Sequence, residues 1–138
     1  MRVFLDTNVL VSAIATRGLS ADVLRSVLSA HELVTSEVVL EELDRVLERK
    51  LGFGSRIRDD IRAFLLRHHV EPGPEAPADI TLRDPDDAWV LASALNAGAH
   101  VLVTGDRDLL DVASRVADLT ITDPRGFWRM IGGSESGG

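Results

Sequence analysis

Arg2-Val-Phe-Leu-Asp-Thr-Asn8 decides how this chain is read, because an apolar run of strand length stops abruptly at the carboxylate of Asp6. In a sheet-based fold, ligands collect at the carboxyl ends of buried strands, so an acid there stands where chemistry is done. His100-Val-Leu-Val-Thr104 repeats the pattern near the other end, running into Gly105-Asp106-Arg107-Asp108. Two apolar strands that each deliver acid at the same end point to a site built from carboxylates.

Outward from Arg2–Asn8, Val3–Leu5 reads as a central strand, Asn8–Ala15 as the helix or turn after it, and Gly18 as a break. Ser20–Ala30 carries Val23, Leu24, Val27 and Leu28 at helical spacing, and Leu33–Thr35 reads as a short strand. Ser36 caps a helix that runs to about Leu51 and is ended by Gly52 and Gly54. Ser55–His69 predicts an amphipathic helix with Ile57, Ile61, Phe64 and Leu65 inward, and Val70 begins a brief strand. After the proline-rich surface loop Glu71–Pro77 come a helix over Asp84–Ala97, a strand over His100–Thr104 and a short helix over Leu109–Val116. Leu119–Ile121 is a last strand, and Asp123–Ile131 a helical turn packing Phe127, Trp128 and Ile131 on the sheet.

Strands alternating with helices and no hairpin signal predict a three-layer α/β/α sandwich around a largely parallel sheet, with the first strand in the middle. The expected organisation is one domain over residues 1–131 and a flexible tail over Gly132–Gly138, without internal repeats. A chain of 138 residues, 45% hydrophobic, suffices for one such core.

Composition narrows the chemistry. No run approaches the ~18 apolar residues of a membrane span, and no signal-peptide pattern follows Met1, so the expected location is the cytoplasm, with no membrane partner. With no cysteine, disulfides, thiolate nucleophiles and Cys-based zinc sites are excluded, and any metal must use oxygen or imidazole. His31, His68, His69 and His100 form no ligand pattern and read as surface or core residues. The net charge of −7 opposes binding nucleic acid through bulk electrostatics. It is unevenly spread: Arg45–His69 carries +4 and the remainder −11, although two solvated helix faces would give the same count.

Four acids are candidates, each with a structural alternative. Asp6 follows the first strand, but would also cap the helix beginning near Asn8. Asp106 matches it after Thr104-Gly105, where a Gly-Asp turn or a cap is the alternative. In the helix after Ser36, Val39, Leu43, Val46 and Leu47 set the apolar face; Glu41 and Glu48 point away from it and Glu42 lies at its edge. A glutamate there can also simply reach to water. In Arg83-Asp-Pro-Asp-Asp87, Asp84 as cap, Pro85 at the first helical position and Asp87 three residues on form a capping arrangement. Asp87 nevertheless starts the buried stripe of Val90, Leu91 and Ala94, whereas Asp86 turns toward solvent, so Asp84 is left as cap or outer helper. Four carboxylates converging on one crevice repel unless a cation sits among them, and hard oxygen ligands suit Mg²⁺ or Mn²⁺.

With these residues in place, the chain resembles the PIN-domain nucleases, in particular the small bacterial toxins of toxin-antitoxin pairs related to the VapC ribonucleases. The likeness runs from Val3 to about Ile131 on Phe4-Leu-Asp-Thr-Asn8, Leu40-Glu-Glu-Leu43, Asp84-Pro-Asp-Asp87 with Leu91-Ala-Ser-Ala94, Val103-Thr-Gly-Asp-Arg-Asp-Leu109, and Ile121-Thr-Asp-Pro124 with Phe127. It implies Asp6, Glu42, Asp87 and Asp106 as the catalytic, metal-holding quartet, Asp108 as a candidate fifth ligand, and Thr7, Asn8 and Thr104 as hydrogen-bonding supports. It further implies metal-dependent hydrolysis of single-stranded RNA to a 5′-phosphate and a 3′-hydroxyl, inhibition by a cognate antitoxin protein, and a homodimer. Trp89 departs from the family, where a smaller aliphatic residue is expected; it would pack, or stack a base. RNA would approach through the Arg45–Arg67 lobe or a partner subunit's surface.

Two other readings compete. A haloacid-dehalogenase-type Mg²⁺ phosphatase needs a second acid two positions after the first, where this chain has Asn8, and a receiver domain needs a late lysine, whereas Lys50 is the sole lysine. A non-catalytic PIN-like module that binds RNA or protein would lack one or more of the acids, and all four are present. DNA and RNA share the phosphate chemistry, so the acids alone do not separate the two polymers.

Overall fold

The computed structural model describes residues 1–132. The expected tail begins at Gly132, and its remaining residues, 133–138, lie outside the described residues.

Five strands, β1 (Arg2–Leu5), β2 (Glu32–Ser36), β3 (His69–Glu71), β4 (Val101–Val103) and β5 (Thr120–Thr122), form one sheet in the order β3-β2-β1-β4-β5. Every neighbouring pair is parallel, so the sheet is wholly rather than largely parallel. β1 is central, with Phe4 in register with Val34 on one side and Leu102 on the other. Val3, Phe4 and Leu5 are all fully buried, the signature of a strand covered on both faces.

The helices are α1 (Thr7–Ala15), α2 (Leu19–Ala30), α3 (Glu37–Arg49), α4 (Ser55–Leu65), α5 (Pro85–Asn96), α6 (Arg107–Asp111) and α7 (Pro124–Met130). Right-handed crossovers from β1 through β2 to β3 lay α1–α4 on one face, and the return through β4 to β5 lays α5 and α6 on the other. The packing agrees: α1 meets α2 and α3, α3 meets α4, and α5 meets α6. α7 returns to pack on α2, where Phe127 is buried. The order in which strands are added therefore reverses between β1 and β4, and a crevice opens at their carboxyl ends.

Local chemistry sets the helix ends. The Ser36 hydroxyl accepts from Val39 N–H at 3.2 Å to start α3. Beyond α3, Gly52 takes φ +68°, which a side chain would disfavour. Asp84 caps α5 by accepting from Asp86 N–H at 3.0 Å, with Pro85 in the first helical turn.

Several expectations are corrected. The helix expected over Ser55–His69 ends at Leu65, because His69 is taken into the sheet opposite Val34 and the chain must turn before it. Of its supposed inward residues Leu65 is buried and Ile61 partly so, but Ile57 is 52% and Phe64 36% exposed. Both border an apolar groove with Leu10, Ile14 and Leu24. The helix expected over Leu109–Val116 is α6, beginning at Arg107, followed by a separate 3₁₀ turn at Ala113–Arg115. The last strand sits one residue later than Leu119–Ile121.

Candidate functional site

The cleft at the carboxyl ends of β1 and β4 has a volume of about 560 Å³ and is walled by α3 and α5. Asp6, Glu42, Asp84, Asp87 and Asp106 line it, so acids distant in sequence meet at one mouth of the sheet. Thr7 and Asn8 line it too. Thr104 is buried behind them. Asp108 joins from α6: one carboxylate oxygen each from Asp87, Asp106 and Asp108 lie within 4.8 Å of one another.

The two strand ends are tied by a short hydrogen-bond chain. Thr104 Oγ1 accepts from Asp106 N–H at 2.9 Å and donates to Asp6 Oδ2 at 2.7 Å. Asn8 donates to Asp6 Oδ2 at 3.2 Å while its amide oxygen accepts from Gly105 N–H at 2.8 Å. Asp6 is thereby fixed from β1 and β4 together. The sequence posed capping and a site role as alternatives, but the geometry is compatible with both. Asp6 Oδ1 accepts from Thr7 N–H at 2.8 Å, and Asp106 Oδ1 from Asp108 N–H at 2.9 Å. Each cap uses one oxygen and leaves lone pairs free.

Burial and like charge shape the electrostatics. Asp6 is 4% exposed, and desolvation raises its pKa to about 6 against the lowering effect of the Thr104 and Thr7 hydrogen bonds, with Glu42 and Asp106 adding repulsion. Asp87, 7% exposed, is pushed up to about 8, first by desolvation, then by a hydrogen bond and repulsion from Asp106, then by the charges of Asp84 and Asp6. Its Oδ2 is buried and has no hydrogen-bond partner. Carboxylates gathered this closely repel one another, which favours a cation among them. An all-oxygen donor set with an orphaned buried oxygen fits a hard divalent ion.

Some lining residues had little or no sequence signal. Glu41 and Asp86 are exposed, as their helical positions predict, yet both border the cleft because it opens beside the two helices rather than beneath them. Arg45 and Lys50 from α3 supply the cationic part of the lining. Arg58, counted with them in the basic lobe, is instead committed to Asp44 at 2.9 Å and Glu48 at 3.4 Å.

Comparison with known proteins agrees with this arrangement. Residues 2–108 match the family model of the PIN domain. No curated protein matches. Among solved structures, VapBC2 from Rickettsia felis, bound to a DNA fragment from their promoter, is similar at 17% identity and a TM-score of 0.61, over 89% of this chain and 98% of that one. VapBC-1 from nontypeable Haemophilus influenzae is similar at 21% identity and 0.60, over 91% and 99%. Mycobacterium tuberculosis VapC20, a sarcin-ricin loop cleaving toxin, is similar at 20% and 0.56, over 77% and 91%.

Proposed function

The chain belongs to the PIN domain family, and from that premise we propose that it is a divalent-metal-dependent endoribonuclease that hydrolyses phosphodiester bonds of single-stranded RNA, serving as the toxin of a toxin-antitoxin pair. The observation that carries this reading is the buried, unpartnered Oδ2 of Asp87 in a cleft that Asp6, Glu42 and Asp106 also line. Asp6, Glu42, Asp87 and Asp106 would hold Mg²⁺ or Mn²⁺, with Asp108 in reach of the same ion through its contact with Asp87 and Asp106. Such an ion supplies Lewis-acid polarisation of the phosphate and a lowered pKa for water.

The chain's own residues set the geometry. Asp6 keeps one orientation because Thr7, Asn8 and Thr104 all donate to it. Asp87, whose pKa burial and the acids around it raise to about 8, would give up its proton on binding a cation, so loading would release protons. The Thr104 hydroxyl ties the Asp6 carboxylate to the backbone N–H of Asp106, which couples the ends of β1 and β4.

The partner assignment draws on the solved VapBC assemblies of similar fold, which support a cognate antitoxin protein, and a homodimer and a cytoplasmic location belong to the same reading. Among the described residues no helix is long and apolar enough to cross a membrane. The test is incubation of purified protein with end-labelled single-stranded RNA and DNA in EDTA, Mg²⁺ or Mn²⁺, beside Asp6→Asn. The expected result is RNA cleavage with either metal, none in EDTA and far slower cleavage by the variant. Equal cleavage by Asp6→Asn, or cleavage in EDTA, overturns the reading.

A further inference from the structure

Trp89 is the part of the cleft that hydrolysis leaves unused. Its neighbours Ala88 and Val90 are buried, whereas the indole is half-buried and lines the cleft. Residues 87 and 89 lie ~200° apart on a helix, so Trp89 does not share the inward stripe of Asp87. It stands instead one turn beyond Asp86 on the outer lip of α5. A large aromatic side chain left half open at the mouth of a cleft presents π-surface that the fold does not use.

Opposite it runs α3, with Glu42 among the acids and Arg45 and Lys50 farther along. At the helical rise, these two lie ~4.5 Å and ~12 Å beyond Glu42 along the axis. They are the two cations in a lining that holds seven acids, and Val11, Val38 and Val46 give the cleft an apolar floor. A polyanion meets repulsion at the acid end until a cation is bound, and attraction at the Arg45–Lys50 end.

We propose that the cleft is a nucleotide track, in which Trp89 stacks an unpaired base of the strand whose phosphodiester lies at the acids, while Arg45 and Lys50, in the same lining, hold its neighbouring phosphates. The inference rests on the nuclease reading and adds substrate selection to it. Single strands can turn a base out to the indole, whereas a duplex keeps its bases paired and stacked and offers Trp89 no face.

The chain has two tryptophans, so Trp128→Phe, on α7, leaves Trp89 as the sole indole. That variant is titrated, with Ca²⁺ replacing Mg²⁺, with a short single-stranded RNA of mixed sequence and with the duplex of the same sequence, following indole emission and the anisotropy of a labelled strand. The single strand quenches the emission and the duplex leaves it unchanged. In the wild-type background, Trp89→Leu keeps apolar bulk without a ring and weakens single-strand binding by about tenfold at unchanged Tm, and Trp89→Phe restores most of it. A bound strand that leaves emission unmoved, affinity in Trp89→Leu equal to wild type, or RNA that does not bind the wild-type protein each overturns the inference. Metal-dependent cleavage unchanged in Trp89→Leu sinks the track and spares the nuclease; equal cleavage by Asp6→Asn sinks the nuclease reading while the quenching still reports on Trp89.

Discussion

The two edges of the sheet treat charge in opposite ways. At the amino edge, Arg2 pairs with Glu32 at 2.8 Å and donates to Ala97 O at 2.6 Å, and its backbone N–H donates to His100 Nδ1 at 2.8 Å. There, opposite charges meet and donors find acceptors. At the carboxyl edge of the same strands, seven acids and two cations line one cleft, and Asp87 Oδ2 is buried without a partner. At the amino edge Arg2 finds its partners within the chain; at the carboxyl edge the proposed dication would supply the missing partner. That contrast separates a structural charge pair from a ligand site more surely than the number of charged residues does.

The largest effect expected from breaking the contrast is on catalysis. Asp6→Asn keeps the shape of the side chain but removes its charge, and RNA cleavage in Mn²⁺ should fall by roughly a hundred- to a thousandfold, measured as initial rates with gel-resolved products. Next comes completion of the carboxyl edge by metal. Mn²⁺ at ~100 times its Kd should stabilise the protein by about 2.7 kcal/mol and raise Tm by roughly 5–10 °C, reversibly in EDTA.

A smaller effect follows from pH. In the metal-free fold Asp6 and Asp87 have pKa values raised from 3.8 to about 6 and about 8, so between those limits the native state binds more protons than the unfolded chain. Stability must then fall as pH rises from about 4 toward 8. Asp87→Asn should flatten that fall, gaining about 1–2 kcal/mol at pH 8, after discounting for a cleft open to water, and nothing near pH 4. Denaturant melts of the two proteins at both pH values measure it. The smallest effect belongs to the other edge: Glu32→Gln breaks a half-exposed ion pair and should change stability by no more than ~1 kcal/mol, leaving the metal-induced Tm shift intact.

Much of the fold was legible because the decisive strands are apolar runs with abrupt polar ends. Val3–Leu5 and Val101–Val103 are buried on both faces, and a fully buried parallel strand has no other way to look in sequence. The caps were legible at Ser36 and Asp84 for the same local reason. Helix α4 was read less well, since periodicity marks an apolar face without saying whether anything covers it, and Ile57 and Phe64 stay exposed. Its end was missed as well, because Arg67 and His68 carry no breaker signal and the turn is imposed by β3 pairing with β2. At the site, the positions of Asp6, Glu42, Asp87 and Asp106 around one cleft were anticipated from strand ends and helix faces. The resemblance implied Thr104 and Asn8 as hydrogen-bonding supports, but the particular links, Thr104 to Asp6 and Gly105 to Asn8, join residues about a hundred positions apart and depend on β1 and β4 being neighbours.

The central claim is that the carboxyl edge gathers these acids to hold a hard dication. Crystals grown with Mn²⁺ and measured at a wavelength where manganese scatters anomalously test it directly. The account predicts one or two anomalous peaks within bonding distance of carboxylate oxygens of Asp6, Glu42, Asp87 or Asp106. A fully loaded crystal with its peaks elsewhere, or with none in this cleft, would contradict it.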